Sequence, residues 1–149
     1  MRLDEEVALL SSAPGHRAAR AAAVAQRIAV VTGARWVGIY SVADGLVRNE
    51  AWHGPAAPAH PTFSVDDGLT SHAIRTSSVV VSNDVAADPR YLTNQGDSGS
   101  ELIVPVVADG RVVGTLDVES DQVGAFDGER ILLFQQLAGP LAALWRAGS

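Results

Sequence analysis

The sequence predicts an α+β fold. A central antiparallel sheet of about six strands carries terminal helices on one face, with a ligand pocket under a small helix and a long loop on the other. Three observations carry that prediction. Long helical periodicity lies at the two ends of the chain, and β-branched or alternating runs with one small inserted helix fill its middle. One pair of those runs, within Ser100–Asp127, reads as a hairpin with its acidic residues gathered on one side.

Taken in order, Arg2 to Ser12 offers Leu3, Val7 and Leu10 at helical spacing and stops at Pro14-Gly15. His16 to Thr32 is a second helix, rich in alanine and closed by Gly33, with Ala22, Ala25, Ile28, Ala29 and Thr32 as its packing stripe. Arg35 to Val42 alternates as a strand, with Trp36, Gly38 and Tyr40 on one side. Asp44-Gly45 turns it into a partner strand over Leu46 to His53. Three prolines between Pro55 and Pro61 make that stretch a loop, since proline removes ladder donors. A short strand over Thr62 to Val65, a small helix over Leu69 to Thr76 and a strand over Ser78 to Ser82 follow. Asn83 to Gly99 is a long polar loop with one helical turn expected near Pro89 to Leu92, and a loop of that length suits a lid or binding segment. Asp127 caps a final helix whose Ile131, Phe134, Leu137, Ala138, Leu141 and Leu144 recur at helical steps, kinked at Gly139-Pro140.

The hairpin's register decides which residues share a face. A two-residue turn at Asp109-Gly110 leaves both faces mixed. A bulged turn that pairs Val107 with Arg111 makes one face apolar from Leu102 to Val118. In the bulged register Glu101 stands opposite Asp117, with Glu119 two residues along on the same face. Carboxylates placed together repel, so water must screen them or a positive group belongs there.

Composition narrows the functional classes. The chain has 149 residues, suited to one domain over 1–149, with 47% hydrophobic and 19% charged residues. A net charge of −6, with 11 basic side chains scattered along the sequence, argues against nucleic acid and anionic membrane as partners. The absence of cysteine excludes disulfides, thiol catalysis and thiolate metal sites. No apolar run is long enough to span a bilayer, and the acidic MRLDEEV start is unlike a signal peptide, so a cytoplasmic protein is expected. His16, His53, His60 and His72 show no metal-ligand spacing, and neither a metal nor another cofactor is expected.

The order of elements resembles the GAF domain family over nearly the whole chain. The matching segments are Arg35 to Tyr40, Asn83 to Val85 with Asp88 to Tyr91, and Leu102 to Val106 with Gly110 and Gly114 to Leu116. Within that family the chain is most similar to the stand-alone free methionine-(R)-sulfoxide reductases, through Trp36 to Tyr40, Ser100-Glu101-Leu102, Gly114 to Ser120 and Phe126-Asp127. The resemblance implies a small-molecule pocket in which Trp36, Tyr40, Glu101, Asp117 and Glu119 contact an amino-acid ligand, the carboxylates facing its ammonium group. It also implies cysteine chemistry, at positions that fall on Asn94, Thr70 and His60 here. These three are expected to be residues of the pocket cover, without the reaction.

The expectation is a non-catalytic sensor domain for a free amino acid or a similar ammonium-bearing metabolite, dimerising through its terminal helices. A structural or dimerisation module with an empty pocket is one alternative, and carboxylate-based catalysis involving Asp117 and Glu119 is another. A cyclic-nucleotide site is a further alternative, though a phosphate sits poorly beside three carboxylates.

Overall fold

The computed structural model describes residues 1–92 and 98–146. Five helices, α1 (Leu3–Ser11), α2 (Arg17–Thr32), α3 (Gly68–Thr76), α4 (Gly128–Gln135) and α5 (Ala138–Leu141), accompany six strands. The strands are β1 (Trp36–Ala43), β2 (Leu46–His53), β3 (Thr62–Ser64), β4 (Val80–Ser82), β5 (Ser100–Ala108) and β6 (Arg111–Ser120). They form one antiparallel sheet in the order β3-β2-β1-β6-β5-β4. Among the described residues no helix is long and apolar enough to cross a membrane.

Alternation along the strands sorts the sheet into two faces. Val37, Ile39, Leu102, Val104, Val106, Leu116 and Val118 pack against α2, α4 and α5 as the main core, and α1 packs on α2 and α5. Trp36 and Tyr40 of β1, with Glu101 and Ile103 of β5 and Asp117 and Glu119 of β6, face the opposite way, where α3 lies against β4 and β5. The packing stripe of α2 is Ala21, Val24, Ala25, Ile28 and Ala29, while Ala22 is exposed. It is rotated by one residue at its start from the expected stripe because α2 must also turn Arg20 inward. The Arg20 guanidinium donates to the carbonyls of Ser11 and Gly15, satisfying acceptors that the end of α1 leaves open.

Both long hairpins turn on an Asp-Gly pair at positive φ, 55° and 75° at Asp44-Gly45 and 52° and 77° at Asp109-Gly110. This is the two-residue turn whose twist matches that of the strands it joins. At the second hairpin the expected bulged turn is therefore replaced. Ala108 pairs with Arg111 and Val107 with Val112, and the bulge comes later, with Val106 opposite Gly114 and Val113 left over. The extra residue restores the apolar face that the tight turn alone would scramble, at the cost of one unpaired position. It also moves the partners by two: Glu101 faces Glu119, and Asp117 faces Ile103.

Two further expectations change. The helical turn in the loop after β4 is a 3₁₀ turn at Val85–Ala87, upstream of Pro89. The last helix is broken rather than kinked, with α4 ending at Gln135 and α5 beginning at Ala138. Pro140 has no N–H for the carbonyl of Gln136, and its ring crowds that carbonyl.

Candidate functional site

Strand register builds the floor of the site. Across β1 and β6, Trp36 pairs with Glu119, Gly38 with Asp117 and Tyr40 with Thr115; across β6 and β5, Glu119 pairs with Glu101. All these side chains are buried, with Glu101 5%, Asp117 3% and Glu119 2% exposed. Above Glu101 and Asp117 lies a cavity of about 10 Å³, the space of one water molecule. Tyr40, Glu101 and Asp117 line it from the sheet, Phe63 from β3, Gly68, Leu69 and Thr70 from α3, and Leu92 from the loop.

Gly68 stands at φ 70°, and a side chain there would press on Leu92 at 3.1 Å, so a glycine lets helix and loop close together over the cavity. Phe63 meets the edge of the Tyr40 ring at 5.9 Å between centroids.

The carboxylates differ in what they hold. Asp117 accepts a hydrogen bond from Thr115 Oγ1 at 2.8 Å. Glu119 accepts from Ser98 Oγ at 2.5 Å and from Tyr91 Oη at 3.3 Å, so residues on the loop bond to the floor. Glu101 Oε2 is buried and, among the described residues, has no donor. No arginine among the described residues forms an ion pair with Glu101 or Asp117. Arg90, the basic side chain nearest in sequence to the loop's contact with Gly68, is committed to Asp88 at 2.8 Å.

These surroundings move the acids' protonation. Burial pushes the Glu101 carboxyl well above the usual range, and Glu119, Asp117 and Asp88 push it further. Burial raises Asp117 to about 8, against the opposing hydrogen bond from Thr115 and with added repulsion from Glu119. The phenol of Tyr40 is raised by burial and then by Asp117, Glu101 and Glu119. Asp88 is held well below the ordinary range by its hydrogen bond from Arg90.

Of the residues singled out from sequence, Tyr40, Glu101, Asp117 and Thr70 line the cavity. Trp36 and Glu119 lie beside it but are not part of its lining. The Trp36 indole is held structurally: Nε1–H donates to the carbonyl of Ala56 at 2.9 Å. A Cβ at Gly38 would sit 2.5 Å from indole Cζ3, and one at Gly54 would be 3.0 Å from Cγ, so the ring lies against two glycines. His60 is half-buried in the proline-rich loop and does not reach the cavity lining. Asn94 lies outside the described residues. Phe63, Leu69 and Leu92 were not anticipated; Phe63 and Leu69 sit in segments read as a strand and a helix, but nothing in their spacing marks which face meets the pocket.

A GAF domain family model matches residues 18–146. The chain belongs to the GAF domain family. GAF domains are small-molecule-binding regulatory folds, and this chain is similar to several proteins of known activity within the family. The free methionine-R-sulfoxide reductase of Escherichia coli is 25% identical over 111 residues, covering 74% of this chain and 66% of that protein. The curated relatives it matches are spanned over 56% to 66% of their own length. Among solved structures, a type II free methionine-R-sulfoxide reductase from Thermoplasma acidophilum superposes with TM-score 0.78 at 28% identity, covering 96% of this chain and 94% of the other. The enzyme of that name from Neisseria meningitidis, solved with its substrate, gives TM-score 0.85 at 26% identity, covering 95% and 85%. This GAF domain contains no cysteine.

Proposed function

We propose that this GAF domain binds a small metabolite bearing an ammonium group, by its chemistry a free amino acid or a similar compound, and does not process it. The observation that supports this reading is the pair Glu101 and Asp117, buried at one cavity and without an arginine partner among the described residues, with Glu101 Oε2 lacking any donor. An ammonium group supplies both the charge and the donors that these oxygens lack. Similarity to reductases of a free amino acid's sulfoxide supports the same ligand class. Without a thiol the chain has no nucleophile for sulfoxide reduction as the resemblance describes it, so binding is the part retained.

In this reading Tyr40, Glu101 and Asp117 contact the ligand directly, Thr70 faces it from the cover, and Glu119 holds the loop through Tyr91 and Ser98. Trp36 packs beside the cavity on the same face of the sheet. A cavity of about 10 Å³ is too small for an amino acid, so binding selects a more open arrangement of α3 and the loop.

A thermal-shift screen against the common amino acids, both methionine sulfoxide epimers and cyclic nucleotides tests the proposal. A ligand at 100 times its Kd stabilises by about 2.7 kcal/mol, a shift of several degrees. A response to an amino acid that is lost in Glu101→Gln is expected. A response to a nucleotide alone would exclude the ammonium site.

A second reading, a dimerisation module with a closed pocket, is favoured by the small cavity and by Leu9, Val30 and Leu132, exposed by 61%, 63% and 54% on α1, α2 and α4. Silence across the screen together with a dimeric mass by light scattering would place that reading first.

A further inference from the structure

We propose that protons are the resident cations of this pocket: when closed it keeps the Glu101 and Asp117 carboxyl groups protonated, and a cationic ligand enters by displacing them. The proposal takes the ligand's charge from the ammonium-site reading above and the rest from the geometry.

Space is the first argument. The cavity of about 10 Å³ admits at most a water-sized occupant, so an organic cation does not fit beside the acids in this arrangement. The second is that, among the described residues, no cation faces the two acids. From β1 the titratable neighbour is Tyr40, and from β6 Asp117 and Glu119, all anionic or neutral. From the loop after β4, Asp88 adds negative charge, and its partner Arg90 is taken up by it, while Tyr91 is a phenol bonded to Glu119. β4 brings only Val80, Val81 and Ser82, and β3 brings Phe63. α3 lines the cavity with Gly68, Leu69 and Thr70, and its His72 and Arg75 are not part of that lining. Among the described residues, no three acidic or histidine side chains converge as metal ligands would.

The third argument is Glu101 Oε2 itself. An ionised oxygen buried without a donor carries the full desolvation cost, whereas a protonated carboxyl is neutral and can itself donate. Directly opposite it stands Glu119, whose negative charge raises the cost of ionising Glu101 further. The upward displacement of both Glu101 and Asp117 agrees with this arrangement. Ligand binding then releases protons, and below the titration range of the site affinity rises about tenfold per pH unit for each proton released.

Infrared spectroscopy of the ligand-free protein at pH 7 tests this directly. A protonated-carboxyl C=O band is expected in the wild type, reduced in Asp117→Asn and in Glu101→Gln, and lost when both are combined. Circular dichroism establishes that each isosteric variant is folded. Absence of the band, or a band indifferent to both substitutions, overturns the proposal. Addition of methylammonium chloride, the common amino acids or methionine sulfoxide, with binding followed by calorimetry, tests the exchange. Binding that removes the band supports the proposal, and binding that leaves it intact overturns it. A band that responds to the substitutions, with no heat from any of these compounds, upholds the protonated pocket and overturns the ammonium-ligand reading instead.

Discussion

Glu101 and Glu119 stand directly opposite one another across β5 and β6, both buried on the face of the sheet that meets α3. Facing side chains in such a pair lie about 5 Å apart at Cβ, close enough for the Glu119 charge to help push the Glu101 carboxyl up. Glu119 is bonded by Ser98 and Tyr91 from the loop, whereas Glu101 presents Oε2 without a donor among the described residues. One acid thus holds the cover and the other is left facing the cavity.

That asymmetry makes stability depend on pH in a definite direction. Asp117 is raised from 3.8 in the unfolded chain to about 8 when folded, so the native state retains a proton that the unfolded chain releases. Its stabilising contribution is complete below the unfolded value and is lost as pH climbs toward 8. Thermal melts of the wild type should fall in Tm across that window. Asp117→Asn, which cannot ionise, should flatten the profile and raise Tm by several degrees at pH 8 while changing little at pH 4.

Gly38→Ala should destabilise the fold by about 1–3 kcal/mol, the usual cost of overpacking. The new methyl would meet the Trp36 ring, which Gly54 blocks from the other side and Ala56 anchors through the indole N–H. Urea unfolding gives the magnitude, and a changed tryptophan emission reports the displaced ring.

On the helix face, the bulge between Ile39 and Tyr40 leaves Glu50 as the extra residue of β2. Its carboxylate accepts from Ser41 Oγ at 2.5 Å and pairs with Arg17 at 3.5 Å, while Trp145 Nε1–H donates to the same Ser41 at 2.8 Å. Glu50→Ala should cost about 1–3 kcal/mol by leaving the serine hydroxyl without its acceptor and Arg17 without its charge partner, although Arg17 Nε–H still donates to the carbonyl of Leu144. Chemical denaturation of the variant beside Ser41→Ala would show non-additive losses, since the two share one network.

Asp127 caps α4 by accepting from the Arg130 N–H at 2.9 Å. Asp127→Ala should lower stability by about 1 kcal/mol, and Asp127→Ser should recover most of it, both read by thermal melts.

The sheet, its helices and the acidic face were legible in local signals. Period-two alternation in Trp36–Ala43 and Ser100–Ala108, helical spacing at both ends and the Asp-Gly pairs each act over a few residues. The parity of the hairpin faces could be argued because an apolar face must stay whole, and this gathered Glu101, Asp117 and Glu119 on one side. The choice between Asp117 and Glu119 as the partner of Glu101 was beyond reach. It depends on a tight turn and a bulge at Val113 compensating each other, and no residue type at Val113 announces a bulge.

Sequence alone thus determined the fold class, the family and the three acids of the pocket face, because these follow from periodicity and from an ordered set of short motifs. Tertiary structure decided that Trp36 is a packed support, that Glu119 bonds the loop, and that Glu101 and Asp117 share a nearly closed cavity. Those outcomes depend on burial, on which glycines let backbones approach, and on distances between segments far apart in the chain. Desolvation and charge repulsion arise only once the fold has brought those segments together.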